Sequence, residues 1–178
     1  VIIAIVGTGT GVGKTHLAAA LLHHLRARGQ RVLGWKPVES GVPPESAGED
    51  ELSLRNACGV PAPTLRLIAP LSPHLAARRQ NLTIESALLI AKLDELSSIW
   101  PLLVLELAGG WFSPFDDHLD NAEWLASLPT PLRHRLAPIL VAPDRLGVLH
   151  DLSSTCRAAA SLGLRPLAIA LSAPPAPD

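Results

Sequence analysis

The densest chemistry in this chain lies in Gly7-Thr8-Gly9-Thr10-Gly11-Val12-Gly13-Lys14-Thr15. Glycines at alternate positions let backbone N–H groups converge on an anion, and a helix opening near Lys14 points its positive end at the same place. Lys14 adds a mobile ammonium for the outer phosphates of a nucleotide, and the Thr15 hydroxyl is placed to ligate Mg²⁺. On this reading Gly9, Thr10, Gly11, Val12, Gly13, Lys14 and Thr15 hold the nucleotide. The strict spacing G-x-x-x-x-G-K-S/T would put glycine at position 8, where Thr8 stands, so the loop counted from Gly7 is one residue longer. A glycine-rich turn that binds nothing is the competing reading. The apolar run before the turn and the helical pattern after it are the context that favours a phosphate cradle.

Further along, Glu106 sits inside the apolar run Leu102 to Leu107, just before Ala108-Gly109-Gly110. An unpaired carboxylate there would be costly, so it needs a cation, a strong donor set or a raised pKa. Mg²⁺ on nucleotide phosphates supplies the first, and a structural ion pair is the alternative. Lys36 closes the run Arg31 to Lys36 and is followed by Pro37-Val38-Glu39-Ser40-Gly41. Asp50 opens a helical pattern, where an acid is favourable with the helix dipole on its own account. His74 and His150 are possible bases, with surface or hydrogen-bonding roles equally open. No nucleophile, histidine and acid set has the look of a triad.

The elements that must position these residues follow from periodicity. Val1 to Val6 reads as a central parallel strand, and Leu17, Leu21 and Leu25 give the helix from Lys14 an apolar stripe that Gly29 ends. Arg31 to Lys36 is a second strand, reached by a crossover of βαβ length. Pro43 to Glu49 is a loop, Asp50 to Cys58 a helix, and Pro61 to Pro73 irregular. Thr83 to Ser97 is a helix with Thr83 as its cap and Ile84, Leu88, Ala91 and Leu96 on its apolar side. Strands at Leu102 to Leu107, Ala137 to Ala142 and Arg165 to Leu171 alternate with helices at Asp120 to Leu128 and Gly147 to Leu162, the last beginning near His150 and Asp151. The proline-rich end, Ser172 to Asp178, shows no closing helix. The expectation is an α/β protein, a parallel central sheet with helices on both faces. In such sheets ligands bind beyond the carboxyl ends of the strands, which puts Lys36 and Ser40 on the same edge as the phosphate cradle.

Composition agrees. A chain of 178 residues fits a single nucleotide-binding domain over 1–178, and 48% hydrophobic with 17% charged residues suits strands covered on both faces. A net charge of -1, with lysines and arginines dispersed, offers no surface for nucleic acid or membrane, so the expected partner is a small molecule. Cys58 and Cys156 belong to no metal-spaced or C-x-x-C set and are expected to be reduced. Val1 to Val6 is too short for a signal or a membrane span, which makes cytoplasmic the default location. The chain opens without Met, as a trimmed or partial chain would.

Taken together, Gly7 to Thr15, Lys36-Pro37-Val38-Glu39-Ser40-Gly41, Ser72-Pro73-His74, Glu106-Leu107-Ala108-Gly109-Gly110-Trp111-Phe112 and Leu146-Gly147-Val148-Leu149 resemble the dethiobiotin synthetase family, in the same order along nearly the whole chain. The resemblance implies a fold of phosphate-loop NTPase type and an ATP- and Mg²⁺-dependent cyclo-ligase. That ligase makes the ureido ring of dethiobiotin from 7,8-diaminononanoate and CO₂, usually as a homodimer. It further implies Lys14 and Lys36 as catalytic residues, and Thr15, Asp50 and Glu106 as holders of Mg²⁺ directly or through water. Thr10 and Ser40 would contact the diamine and carbamate. Glu106, Gly109 and Ser172 join the nucleotide site, with Ser172 near the position of an adenine-reading asparagine in the family. Gly147, Val148, Leu149 and His150 match the helix start that receives the substrate carboxylate from the neighbouring subunit.

Three departures from the family pattern carry expectations of their own. Leu107 stands in place of a glycine and is expected to crowd the loop over the phosphates. His150 stands in place of asparagine. The family pattern runs on for tens of residues, so the domain is expected to be short at its C-terminus. Among competing readings, a chromosome-partitioning ATPase switch would carry a second lysine where Gly9 stands. An amidotransferase synthetase acting on corrin acids would need a glutaminase domain. A non-catalytic nucleotide-binding homologue is the remaining alternative.

Overall fold

The computed structural model describes residues 1–173; the prolines of the tail at 174, 175 and 177 lie outside them. The chain runs β1 (Ile2–Gly7), α1 (Lys14–Ala27), β2 (Val32–Trp35), β3 (Val38–Ser40), α2 (Glu49–Cys58), β4 (Leu65–Leu67), α3 (Pro73–Arg79), α4 (Ser86–Ile99), β5 (Leu102–Glu106), α5 (Asn121–Ala126), α6 (Thr130–Arg133), β6 (Leu136–Pro143), α7 (Val148–Ser161) and β7 (Ala168–Ser172). Five parallel strands form the main sheet in the order β2-β5-β1-β6-β7. The central strands β1 and β5 are buried along nearly their whole length, as cover on both faces requires.

This order positions the site. The chain leaves β1 on one side to form β2, returns to insert β5 between them, and then places β6 on the other side of β1. The carboxyl end of β1 is therefore the switch point, where two crossovers diverge and leave a crevice. Register pairs Ile5 with Glu106 and Trp35 with Leu105, so the ends of β1, β2 and β5 lie side by side.

All five expected strands of the main sheet are present. Two short strands, β3 and β4, pair in parallel as a separate two-stranded sheet over the same edge, with α3 packed against them. Neither was readable from periodicity: β3 is three residues long directly after Pro37, and β4 lies within a proline-punctuated stretch. The helices α3 and α6, of seven and four residues, are too short for a stripe to show.

Two helix faces differ from expectation. In α1 the deepest positions are Lys14, Ala18 and Leu22, with Leu17, Leu21 and Leu25 only partly buried beside them. In α4 the cap position is Glu85, not Thr83. The buried face is Leu93, Leu96 and Ser97, while Leu88 is exposed to 68% and Ala91 is also exposed. The closely spaced leucines and alanines of that stretch support more than one stripe, and only the sheet beneath chooses between them. By contrast α5 starts where Asp120 places it, since Asp120 accepts from the Glu123 N–H and Glu123 from the Asp120 N–H at 2.7 and 2.9 Å.

Candidate active site

The phosphate loop leaves β1 and turns into α1 through Gly13, whose φ of 93° belongs to the left-handed region that glycine enters freely. No side chain caps α1, so its first N–H groups remain available to an anion. Lys14 is buried and donates from Nζ to the Gly9 carbonyl at 3.1 Å, which folds the ammonium back over the loop. Burial foremost lowers its pKa below the ordinary lysine value; Glu106 opposes the shift and Lys36 adds to it.

Beside the loop, four side chains from four elements meet. The Lys36 ammonium, directly after β2, contacts a carboxylate oxygen of Asp50 on α2 and lies 2.9 Å from Glu106 Oε1 at the end of β5. Thr15 Oγ1 on α1 lies 2.6 Å from Asp50 Oδ1 and 2.8 Å from Glu106 Oε1. Lys36 is 5% exposed and Glu106 is 0% exposed, so these are charges held out of water. Burial disfavours the charge on Lys36, yet Glu106 and Asp50 together overcome it and raise its pKa. Asp50 is the mirror case: burial pushes its carboxyl up, but Lys36 and the Thr15 hydroxyl hold it below the usual carboxylate range.

The donor set fits Mg²⁺. A threonine hydroxyl has one proton and cannot donate to two carboxylate oxygens at once. Glu106 Oε2 is buried without a partner among the described residues. The cluster thus keeps a carboxylate oxygen open beside the phosphate loop, a ligand that a hard cation takes readily. No cage of three or more His, Cys, Asp or Glu residues exists among the described residues. Mg²⁺ on nucleotide phosphates needs none, since it takes one or two carboxylates plus substrate oxygens.

A cavity of 660 Å³ opens over this cluster, lined by Thr10, Gly11, Gly13, Lys14, Thr15, Lys36, Ser40, Asp50, Glu106 and Gly109. Ser40 Oγ is buried there without a partner among the described residues. A second cavity, of 670 Å³, runs from Gly11, Val12 and Gly13 to Ser172. A Cβ on Gly13 would come within 2.4 Å of Ser172 Oγ, so the β7 residue sits directly on the phosphate loop. Gly147, Val148, Leu149 and His150 line neither cavity. Val148 is buried at the start of α7, whereas Gly147, Leu149 and His150 face outward, Leu149 to 78%.

The expectation for Leu107 is corrected. Its side chain is 1% exposed within the hydrophobic core, and its N–H continues the ladder to the Ile5 carbonyl at 3.3 Å. The loop beyond is held by other residues: Asn121 Nδ2 donates to the carbonyls of Ala108 and Gly110 at 2.8 Å each, and the Gly110 N–H donates to Ser113 Oγ at 2.7 Å.

Sequence reasoning missed several residues of the site. Glu39 is 6% exposed, lines the first cavity, and accepts from the backbone N–H groups of Asp50 and Glu51 at 2.9 Å each. Burial raises its carboxyl pKa against those two donors and Lys36. A polar residue between Val38 and Ser40 gave no periodic signal. His16, Asp144 and Arg145 join Ser172 in the second cavity, and Leu71, Ser72 and Pro73 wall the first. His74 lines neither cavity; it lines a third, which Asp116 and His118 also border. The cysteines are free, Cys58 buried and Cys156 half-buried.

Comparison with known proteins bears on the family and the fold. A family model described as an AAA domain matches residues 2–178. The chain is 36% identical over 170 residues to the ATP-dependent dethiobiotin synthetase of Xanthomonas axonopodis pv. citri, covering 90% of this chain and 73% of that one. It is 38% identical over 169 residues to the ATP-dependent dethiobiotin synthetase of Ralstonia nicotianae, covering 90% and 71%. Among solved structures it is similar to the kinase domain of the Escherichia coli tyrosine kinase ETK, with a TM-score of 0.59 at 13% identity over 99% of this chain and 69% of that one. It is also similar to a ParA family ATPase from Chlorobium tepidum, with a TM-score of 0.51 at 13% identity over 97% and 72%. At such identities the structural likeness shows the fold alone.

Proposed function

This chain belongs to the dethiobiotin synthetase family of ATP-dependent ligases, which act in biotin biosynthesis, and on that premise we propose how its residues divide the work. The substrates are 7,8-diaminononanoate, CO₂ and ATP, and Mg²⁺ accompanies the nucleotide. One amine attacks CO₂ to form a carbamate and loses a proton. A carbamate oxygen then attacks the γ-phosphorus with departure of ADP, and the second amine attacks the carbonyl carbon and expels phosphate as the ring closes. No covalent bond to the protein forms, so the protein's contribution is orientation and charge stabilisation.

Lys14 and the N–H groups of the phosphate loop, Gly9 to Thr15, bind and orient the triphosphate. Thr15, Asp50 and Glu106 hold Mg²⁺, which when bound supplies positive charge to the phosphoryl oxygens. Lys36 neutralises the carbamate and the transferring phosphoryl group, and Thr10 and the Ser40 hydroxyl, which has no partner among the described residues, hold the carbamate and diamine. Gly109 closes the loop above them, and Ser172 borders the base. The helix start from Gly147 to His150 serves the carboxylate of a substrate bound in the other subunit of a homodimer; the outward placement of Gly147, Leu149 and His150, away from the two cavities at the phosphate loop, supports that division.

We further propose one domain over 1–178, cytoplasmic, with no nucleic-acid or membrane partner. No helix among the described residues is long and apolar enough to cross a membrane. The single observation that carries the reading is the convergence of Lys36, Asp50, Glu106 and Thr15 beside the phosphate loop. A turnover assay with the diamine, bicarbonate, Mg²⁺ and ATP tests it. Dethiobiotin that requires all four is the expected result, and ATP hydrolysis with no ring product overturns the proposal.

A further inference from the structure

The segment after Lys36 carries a carboxylate that the ring-forming chemistry does not use. Glu39 lies on β3 and is buried, a costly place for an acid unless something receives it. What receives it is the first turn of α2. Both Glu39 oxygens are engaged, Oε1 by the Asp50 N–H and Oε2 by the Glu51 N–H. The helix has no cap of its own, because its cap position is Gly48. Gly48 makes the arrangement possible: a Cβ there would lie 2.1–2.5 Å from the Glu39 carboxyl atoms, so any side chain would evict the carboxylate.

This cap differs from an ordinary one in where it comes from. A serine or aspartate at the cap position fixes the helix only to its own preceding residues. Glu39 instead ties the start of α2 to β3, the strand that follows Lys36 and ends in Ser40. One of the two N–H groups it binds is that of Asp50 itself, whose side chain meets Thr15 and Lys36.

We infer that Glu39 is a positioning residue that fixes Asp50 relative to Lys36 and Thr15 by clamping the first turn of α2 to β3. The inference rests on the reading of Asp50 as a holder of Mg²⁺. A residue that orients a metal ligand through its backbone affects metal affinity as an outer-shell partner does, about tenfold or more. A cap that only stabilises the helix lowers Tm and leaves metal affinity alone.

The test is Mn²⁺ binding, followed by EPR of the free ion, to the full chain saturated with a non-hydrolysable ATP analogue and without diamine. The variants are Glu39→Ala, Glu39→Gln, Asp50→Asn and the two double variants. Glu39→Ala is expected to weaken Mn²⁺ binding about tenfold. Glu39→Gln keeps one acceptor oxygen and should fall between it and the native chain. In the Asp50→Asn background the Glu39 changes should cost less than about twofold more, because both act on one group. Native Mn²⁺ affinity in a Glu39→Ala protein of lowered Tm overturns the inference, and so does a full second loss on top of Asp50→Asn. If Glu39→Ala does not fold, Glu39→Gln carries the same two comparisons. Unchanged binding in Asp50→Asn alone overturns the role of Asp50 and the inference with it. Absence of dethiobiotin synthesis by the native chain would instead strike the proposed reaction and leave the Mn²⁺ comparison intact.

Discussion

The two cavities that meet at the phosphate loop have nearly the same volume, 660 and 670 Å³, and very different walls. The first is built from charges held out of water: Lys14, Lys36, Glu39 and Glu106 are each at most 6% exposed. Each of these charges has a partner within hydrogen-bond reach. Around the second, His16, Asp144, Arg145 and Ala173 are exposed and Ser172 is half-buried. Volume does not distinguish a place for chemistry from a place for recognition, but desolvation does. A charge–charge contact in the first cavity acts at low effective dielectric, whereas an exposed side chain in the second is screened and free to move. The charged cluster of the first should therefore tolerate almost no substitution, and the exposed side chains of the second, His16, Asp144 and Arg145, should tolerate many.

The largest break in that contrast is Lys14→Ala. Removing one stabiliser of a developing anion costs about 10²- to 10³-fold in kcat. Steady-state turnover decides it, and near-native kcat would remove Lys14 from the catalytic set. Next comes Lys36→Ala, expected to lower ring formation by about 10²-fold while sparing nucleotide binding, because Lys36 lies beside the loop and not within it. Equilibrium binding of an ATP analogue is the check; a large loss of affinity would assign Lys36 to the nucleotide.

Glu106→Gln comes third. It keeps shape and removes charge, so apparent Mg²⁺ affinity should fall about tenfold. Thermal stability should hold or rise, since the carboxylate is buried and Oε2 has no partner among the described residues. An unchanged Mg²⁺ titration would make the carboxylate structural. The smallest effect belongs to the second cavity. Ser172 presents one hydroxyl, which cannot reproduce the paired donor and acceptor of an amide, and the polar groups beside it are exposed. ATP, CTP and GTP should then support turnover within about tenfold of one another, as one hydrogen bond is worth about 1 kcal/mol. Measuring kcat/KM for the three sharpens the comparison. A preference for ATP above about a hundredfold would show the base to be read as tightly as the phosphates.

Much of this molecule was legible along the chain. The phosphate loop is contiguous, and its shape follows from local backbone freedom and the elements flanking it, so Gly7 to Thr15 announced itself. Glu106 was visible for a different reason: an acid within an apolar strand is a desolvation problem, and such a problem shows in one dimension. The five strands of the main sheet were readable because each is an apolar run bounded by turn residues.

The tertiary structure decided the rest. Asp50 and Lys36 are fourteen residues apart, and nothing local says that they touch. They meet because α2 packs on α1 and β2, which brings Asp50 to the Lys36 ammonium, while β5, inserted between β1 and β2, brings Glu106 to the same group. Leu107 looked like an obstruction and is a core residue, since its direction depends on the strand's register and not on its neighbours in sequence. The buried face of α4 was chosen by the sheet from several that its leucines and alanines allowed. Glu39 is the sharpest case. Its partners are two backbone N–H groups, which every helix start offers and no sequence distinguishes, and only the approach of β3 to Gly48 selected these two. Local chemistry is written in the order of residues, whereas the pairing of distant groups depends on loop closure and strand order, which the chain resolves only by folding.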